Sequence, residues 1–152
     1  MTSIYLIGSL RNRKIPIIGK KLRESGFEVF DDWFAAGRIA DDEWQRYEQT
    51  RGRTYPEALK GYAADNVFQF DLRNLKRCNV VVLVLPAGKS AHIELGYCIG
   101  SGQRGYVLFD KKPTRWDVMY KFAAEVFFDL DAMIEALKIA TAGGSIRSAN
   151  QT

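Results

Sequence analysis

Two cysteines and one histidine are the only thiol and imidazole side chains among 152 residues. Cys78 and Cys98 lie within apolar or helical patterns at a spacing that fits no zinc motif, so a buried structural role is expected and no metal site. Nothing in this usage suggests a disulfide framework, and an intracellular, cytoplasmic setting is expected. Long apolar runs are also missing. No stretch reaches the roughly 18 residues a membrane-spanning helix needs, so no membrane partner is expected. The opening residues lack the charged n-region of a signal peptide and read as a first strand. Neither Gly-x-Gly-x-x-Gly nor a Walker pattern occurs, so a dinucleotide or triphosphate is not indicated and no cofactor is expected. Charge of one sign is scarce as well. The net +4 is spread among acids, without a basic patch interleaved with aromatics, and nucleic acid is discounted as a partner.

What the chain does have is 47% apolar content, enough for one compact core and too little length for two. Residues 1–140 are expected to form a single domain, and 141–152, rich in Gly, Ser and Asn, a frayed flexible tail. Strand patterns at 3–7, 27–30, 80–85, 106–109 and 126–128 alternate with helical patterns at 14–25, 41–50, 54–77, 91–99 and 131–140. Asp41 or Asp42 is read as the cap of the second helix, and Pro56 as lying in the first turn of the third. Such alternation implies right-handed crossovers. The fold class is α/β: a flavodoxin-like or Rossmann-like three-layer sandwich with a parallel sheet of about five strands, the third central.

The segment from Asp71 to Gly100 is the most telling. Six apolar residues, Val80 to Leu85, read as a strand buried on both faces. Pro86-Ala87-Gly88-Lys89-Ser90 turns the chain, and Glu94 follows in the first turns of a helix. Ligands bind at the carboxyl ends of strands in such sheets, which puts Glu94 where chemistry is done. As decoration, a first-turn acid is worth a few tenths of a kcal/mol. Its company argues for more: Ser90 is a cap and a possible donor, and Gly88 and Gly96 leave the backbone open. His92, two residues from Glu94, points to another face and suits packing or an interface. Asp71 sits towards the C-terminal end of its helix, where the dipole disfavours acids, and ranks above Asp65 as a partner for Glu94. At the first turn, Gly8, Ser9 and Arg11 offer amides and a guanidinium to an anion. Between residues 33 and 62 lie Trp33, Phe34, Trp44, Tyr47, Tyr55 and Tyr62, which could stack on a base or pack as a lid or subunit interface.

These residues together resemble the nucleoside 2-deoxyribosyltransferase superfamily, including its deoxynucleoside 5′-monophosphate N-glycosidase and CMP-hydrolase branches. The matching pieces are Tyr5, Gly8, Ser9 and Arg11, the Asp-Leu-x-x-Leu-x-x-Cys-Asn-Val-Val-Val segment led by Asp71, and Glu94-Leu95-Gly96. They fall in the expected order over roughly the first 110 residues. The resemblance implies a nucleophilic Glu94 attacking C1′ of a ribosyl or deoxyribosyl group, Asp71 protonating or positioning the leaving base, and Tyr5 orienting the nucleophile. It implies a nucleoside or nucleotide substrate, bound also by Gly8, Ser9, Arg11, Trp33, Gly88, Lys89 and Ser90, and a homodimer or larger homo-oligomer. One departure stands out. Six residues before the nucleophile the family tends to carry Asp or Ser, and this chain has Gly88. A sensor of the same fold, binding a nucleotide without turning it over, is the competing reading.

Overall fold

The computed structural model describes residues 1–143. Five parallel strands form one sheet: β1 (Ser3–Ile7), β2 (Glu28–Phe30), β3 (Val80–Val84), β4 (Arg104–Leu108) and β5 (Glu125–Phe127), in the spatial order β2-β1-β3-β4-β5. The strand carrying the apolar run is central, as its burial on both faces requires. This is the flavodoxin-like α/β order.

Strand periodicity splits the core in two. Ile4, Leu6, Val80, Val82 and Val84 face one way, onto Ile15, Ile18 and Leu22 of α1 (Ile15–Glu24) and Met133, Ile134 and Leu137 of α6 (Leu130–Ala142). Tyr5, Ile7, Val81 and Leu83 face the other, onto Leu75 of α4 (Tyr62–Arg77) and Ala91, Leu95 and Cys98 of α5 (Lys89–Gly100). Each fully buried Leu, Ile or Val is worth about 1.5–3 kcal/mol, so this alternation holds three layers together. It also decides the site: Tyr5 shares its face of the sheet with α4 and α5, the helices of Asp71 and Glu94.

The connection from β2 to β3 is long. It comprises a 3-10 turn at Asp32–Ala36, α2 (Ala40–Thr50), the single-turn α3 (Tyr55–Leu59) and α4. Three expectations are corrected here. The single helix over 54–77 is two helices. Thr54 and Glu57 form a capping box that starts α3, but Gly61 then adopts extended backbone as the N-cap of α4. A Cβ on Gly61 would lie 2.5 Å from Arg53 Nη1, so any larger residue there would push the end of the Arg53 side chain aside. At α2 the N-cap is Ile39, and Asp41 and Asp42 stand inside the first turn, where the helix dipole favours them. At α5 the cap is Gly88, and Ser90 lies within the helix.

Glu48 on α2 is buried, its carboxylate 3.2 Å from Arg53 and 3.7 Å from Arg51. The pair ties the end of α2 to the loop leading into α3. Helix α6 continues through Thr141 and Ala142 with Gly143 as its C-cap, and residues 144–152 of the expected tail lie outside the described residues. Among the described residues no helix is long and apolar enough to cross a membrane.

Candidate active site

With the order β2-β1-β3, the chain leaves β1 towards one edge of the sheet and β3 towards the other. The crevice between their carboxyl ends is where such sheets bind ligands. A cavity of about 1070 Å³ opens there. The turn after β1, the 3-10 turn, α2, α4 and the start of α5 form its wall.

Tyr5 reaches the cavity from β1 although its residue is only 1% exposed. Gly8 follows β1, and a Cβ on it would meet Ile15 Cδ1 at 2.6 Å, so this turn admits no side chain without repacking α1. Ser9 Oγ accepts the backbone N–H of Arg11 at 3.1 Å, which fixes the turn. The Arg11 guanidinium lies 3.3 Å from the Asp42 carboxylate. Trp33 donates its indole N–H to the Leu6 carbonyl at 2.7 Å and packs against both halves of the core. Its ring is thus a fixed panel of the wall.

Asp71 and Glu94 meet in this cavity from two helices. Burial pushes the Glu94 carboxyl up to about 7, with the charge on Asp71 adding to the shift. Desolvation alone pushes Asp71 up to about 6. Two carboxyls that feel each other give up their protons as a pair, and this pair keeps one into the neutral range. The Tyr5 phenol is driven far above its ordinary value by burial first and by Glu94 and Asp71 next, so it stays a protonated donor. Asp65 is absent from the cavity wall, which leaves Asp71 as the acid near Glu94.

Gly88 and Ser90 line the cavity at the start of α5, whereas Lys89 does not. Its side chain is exposed outside the wall. His92 turns away, as its helical offset from Glu94 requires. Its Nδ1 lies 2.7 Å from the Gly88 carbonyl and its Nε2 2.9 Å from the Tyr120 hydroxyl. The carbonyl can only accept, so Nδ1 carries the proton and Nε2 accepts from Tyr120. The imidazole thereby braces the turn that presents Gly88. Cys78 and Cys98 are buried free thiols, raised by desolvation to about 11 and about 12. Among the described residues no group of three or more His, Cys, Asp or Glu is placed to hold a metal ion.

Sequence reasoning missed part of the wall. Ala63, Val67 and Asp71 recur every four residues along α4, with Asn66 and Phe70 beside them. Helical spacing counted back from Asp71 would have found that stripe. Arg38, Asp42 and Arg73 also line the cavity and carried no motif.

No family model matches the chain by sequence, and no curated protein does. Solved structures match in three dimensions. One is a 2-deoxyribosyltransferase from the psychrotolerant bacterium Bacillus psychrosaccharolyticus, with a TM-score of 0.60 at 16% identity over 88% of this chain and 90% of that one. Another is the CMP N-glycosidase of Clostridium botulinum, with a TM-score of 0.52 at 14% identity over 90% of this chain and 99% of that one. The chain shares its fold with these two proteins. At these identities the likeness is one of fold, and the chemistry rests on the residues of the crevice.

Proposed function

We propose that the protein is an enzyme that cleaves or transfers the N-glycosidic bond of nucleosides or nucleoside 5′-monophosphates through a covalent glycosyl-Glu94 intermediate. The observation that carries this reading is the coupled pair Glu94 and Asp71, both raised by burial and facing one cavity beside the Tyr5 phenol. A protein that only binds a nucleotide gains nothing from two desolvated carboxyls. The fold shared with a 2-deoxyribosyltransferase and a CMP N-glycosidase supports the same class of bond.

In this mechanism a Glu94 carboxylate oxygen attacks C1′ as the C1′–N bond breaks, and the bonding pair leaves with the base. Asp71 gives its proton to the departing base. The buried carboxylate stabilises the oxocarbenium-like state and then traps it as an ester. Water then attacks C1′ and returns its proton to Asp71, releasing the sugar and Glu94; a second base in place of water completes a transfer. Tyr5 donates to the Glu94 carboxylate and holds its orientation. Ser9, Arg11 and Ser90 hold the 5′ end, with Gly8 and Gly88 leaving space for it, and Trp33 stacks on the base.

Incubating the protein with nucleosides and their monophosphates, with and without a second base, tests this directly. Base release that disappears in Glu94→Ala is expected, and exchange with the added base separates transfer from hydrolysis. Ligand binding without turnover of any member of the panel would leave a sensor.

A further inference from the structure

The first-turn arginine has an anion beside it. Arg11 Nη2 lies 3.3 Å from Asp42 Oδ2, and both residues line the cavity that holds Glu94. Asp42 comes from the first turn of α2, 31 positions along the chain, and the pair joins the turn after β1 to the long β2–β3 connection. The two side chains are 62% and 51% exposed, so water screens the pair and it is easily exchanged. A phosphate offers the guanidinium what a carboxylate does, with more charge and better bidentate geometry. A phosphorylated 5′ end and the Asp42 carboxylate therefore want the same donors, and repel each other when both are near them.

We propose that Asp42 is a specificity-determining residue, a built-in competitor that weakens the hold of Arg11 on a 5′-phosphate and so shifts the protein's preference towards the unphosphorylated ligand. The inference takes its ligand class from the glycosidic reading above. A 5′-hydroxymethyl group leaves the Arg11–Asp42 pair intact, whereas a phosphate must displace Asp42. Asp41 and Glu43 flank Asp42 on the same wall and add to the repulsion.

Calorimetric titration of CMP, cytidine and inorganic phosphate into the wild type, Asp42→Asn, Arg11→Ala and the double variant tests this without needing turnover. Asp42→Asn is expected to raise the ratio of CMP to cytidine affinity by about 2- to 5-fold, the scale of one exposed charge interaction, and to tighten inorganic phosphate. In the Arg11→Ala background the same substitution should produce no such gain. The proposal is overturned if the ratio is unchanged, if CMP and cytidine shift together, if no variant binds any of the three, or if the gain persists without Arg11. Its failure is separable from that of the glycosidic reading. An Arg11-dependent gain in a protein that turns over no nucleoside sustains the role of Asp42 alone, and base release with an unchanged ratio sustains the enzyme alone.

Discussion

Tyr5 and Phe30 are register partners across β1 and β2, and their ring centroids lie 5.1 Å apart. Phe70 of α4 continues the contact at 5.7 Å from Phe30, one residue before Asp71. The tyrosine is thus clamped by a ladder of aromatic rings, and its hydroxyl is free to serve the cavity.

Replacing Tyr5 by Phe keeps this clamp and removes only the donor. We expect kcat on the preferred substrate to fall by roughly 10- to 100-fold. Unfolding free energy in urea should change by about 1 kcal/mol or less. Phe30→Ala should do the reverse in emphasis, costing about 3–5 kcal/mol of stability through the cavity it leaves.

The carboxyl pair dictates a pH profile. The proposed reaction needs Glu94 ionised and Asp71 protonated, a pair holding one proton, and the pair's groups stand at about 7 and about 6. A plot of kcat/KM against pH should peak between these values and fall on both sides. In Asp71→Asn the donor whose deprotonation sets the alkaline limb is gone, so that limb should disappear while kcat drops, and the acid limb, where Glu94 ionises beside a neutral neighbour in both proteins, should not move to lower pH. An alkaline limb that persists unchanged would contradict the pairing.

Burying carboxyls costs stability, with a definite sign. Glu94 titrates higher in the folded chain than in the unfolded one, so the folded state binds the extra proton. Stability from this group is therefore greatest below the unfolded carboxylate range and is lost as pH rises through about 7. Glu94→Gln removes the penalty. Thermal melts should show the variant more stable than wild type at pH 8, by on the order of 2 kcal/mol, and the two nearly equal near pH 4.

A second charge outside the reacting pair tests the cavity wall. Glu48 is buried with Arg53 and Arg51 as its cations. Arg53→Met leaves one cation at the longer distance, and urea titration should report a loss of about 2–3 kcal/mol. Glu48 and Arg53 replaced together by apolar residues should recover most of it.

Much of this was legible in the chain itself. Val80 to Leu85 could be placed at the sheet centre because only a strand covered on both faces tolerates so bare an apolar run. Asp71 and Glu94 stood out because each sits beside that strand in a helix position that packing does not explain. The wall was harder to read. Arg11 and Asp42 meet across 31 positions, and nothing in their local sequence signals a contact that depends on how α2 folds back. The break at Gly61 is a turn to extended backbone inside one helical pattern, and Ser90 lost the expected cap to Gly88, two residues earlier than the spacing suggested. Lys89, between the two, is exposed and does not line the crevice.

The strand order has a bearing on how such a protein can change its substrate. Because β2 and β3 flank β1, the connection between them must cross β1, and here it supplies much of the cavity wall. A wall carried on a crossover can be lengthened, shortened or recharged by local insertion without shifting a single strand pairing. Tyr5 stands on β1 and Glu94 on α5 after β3, while Asp71 rides on α4, the end of that connection, whose Leu75 packs against the sheet. Under the glycosidic reading the stretch before α4 is free to drift in recognising a ligand, and the three reacting groups stay held by the core.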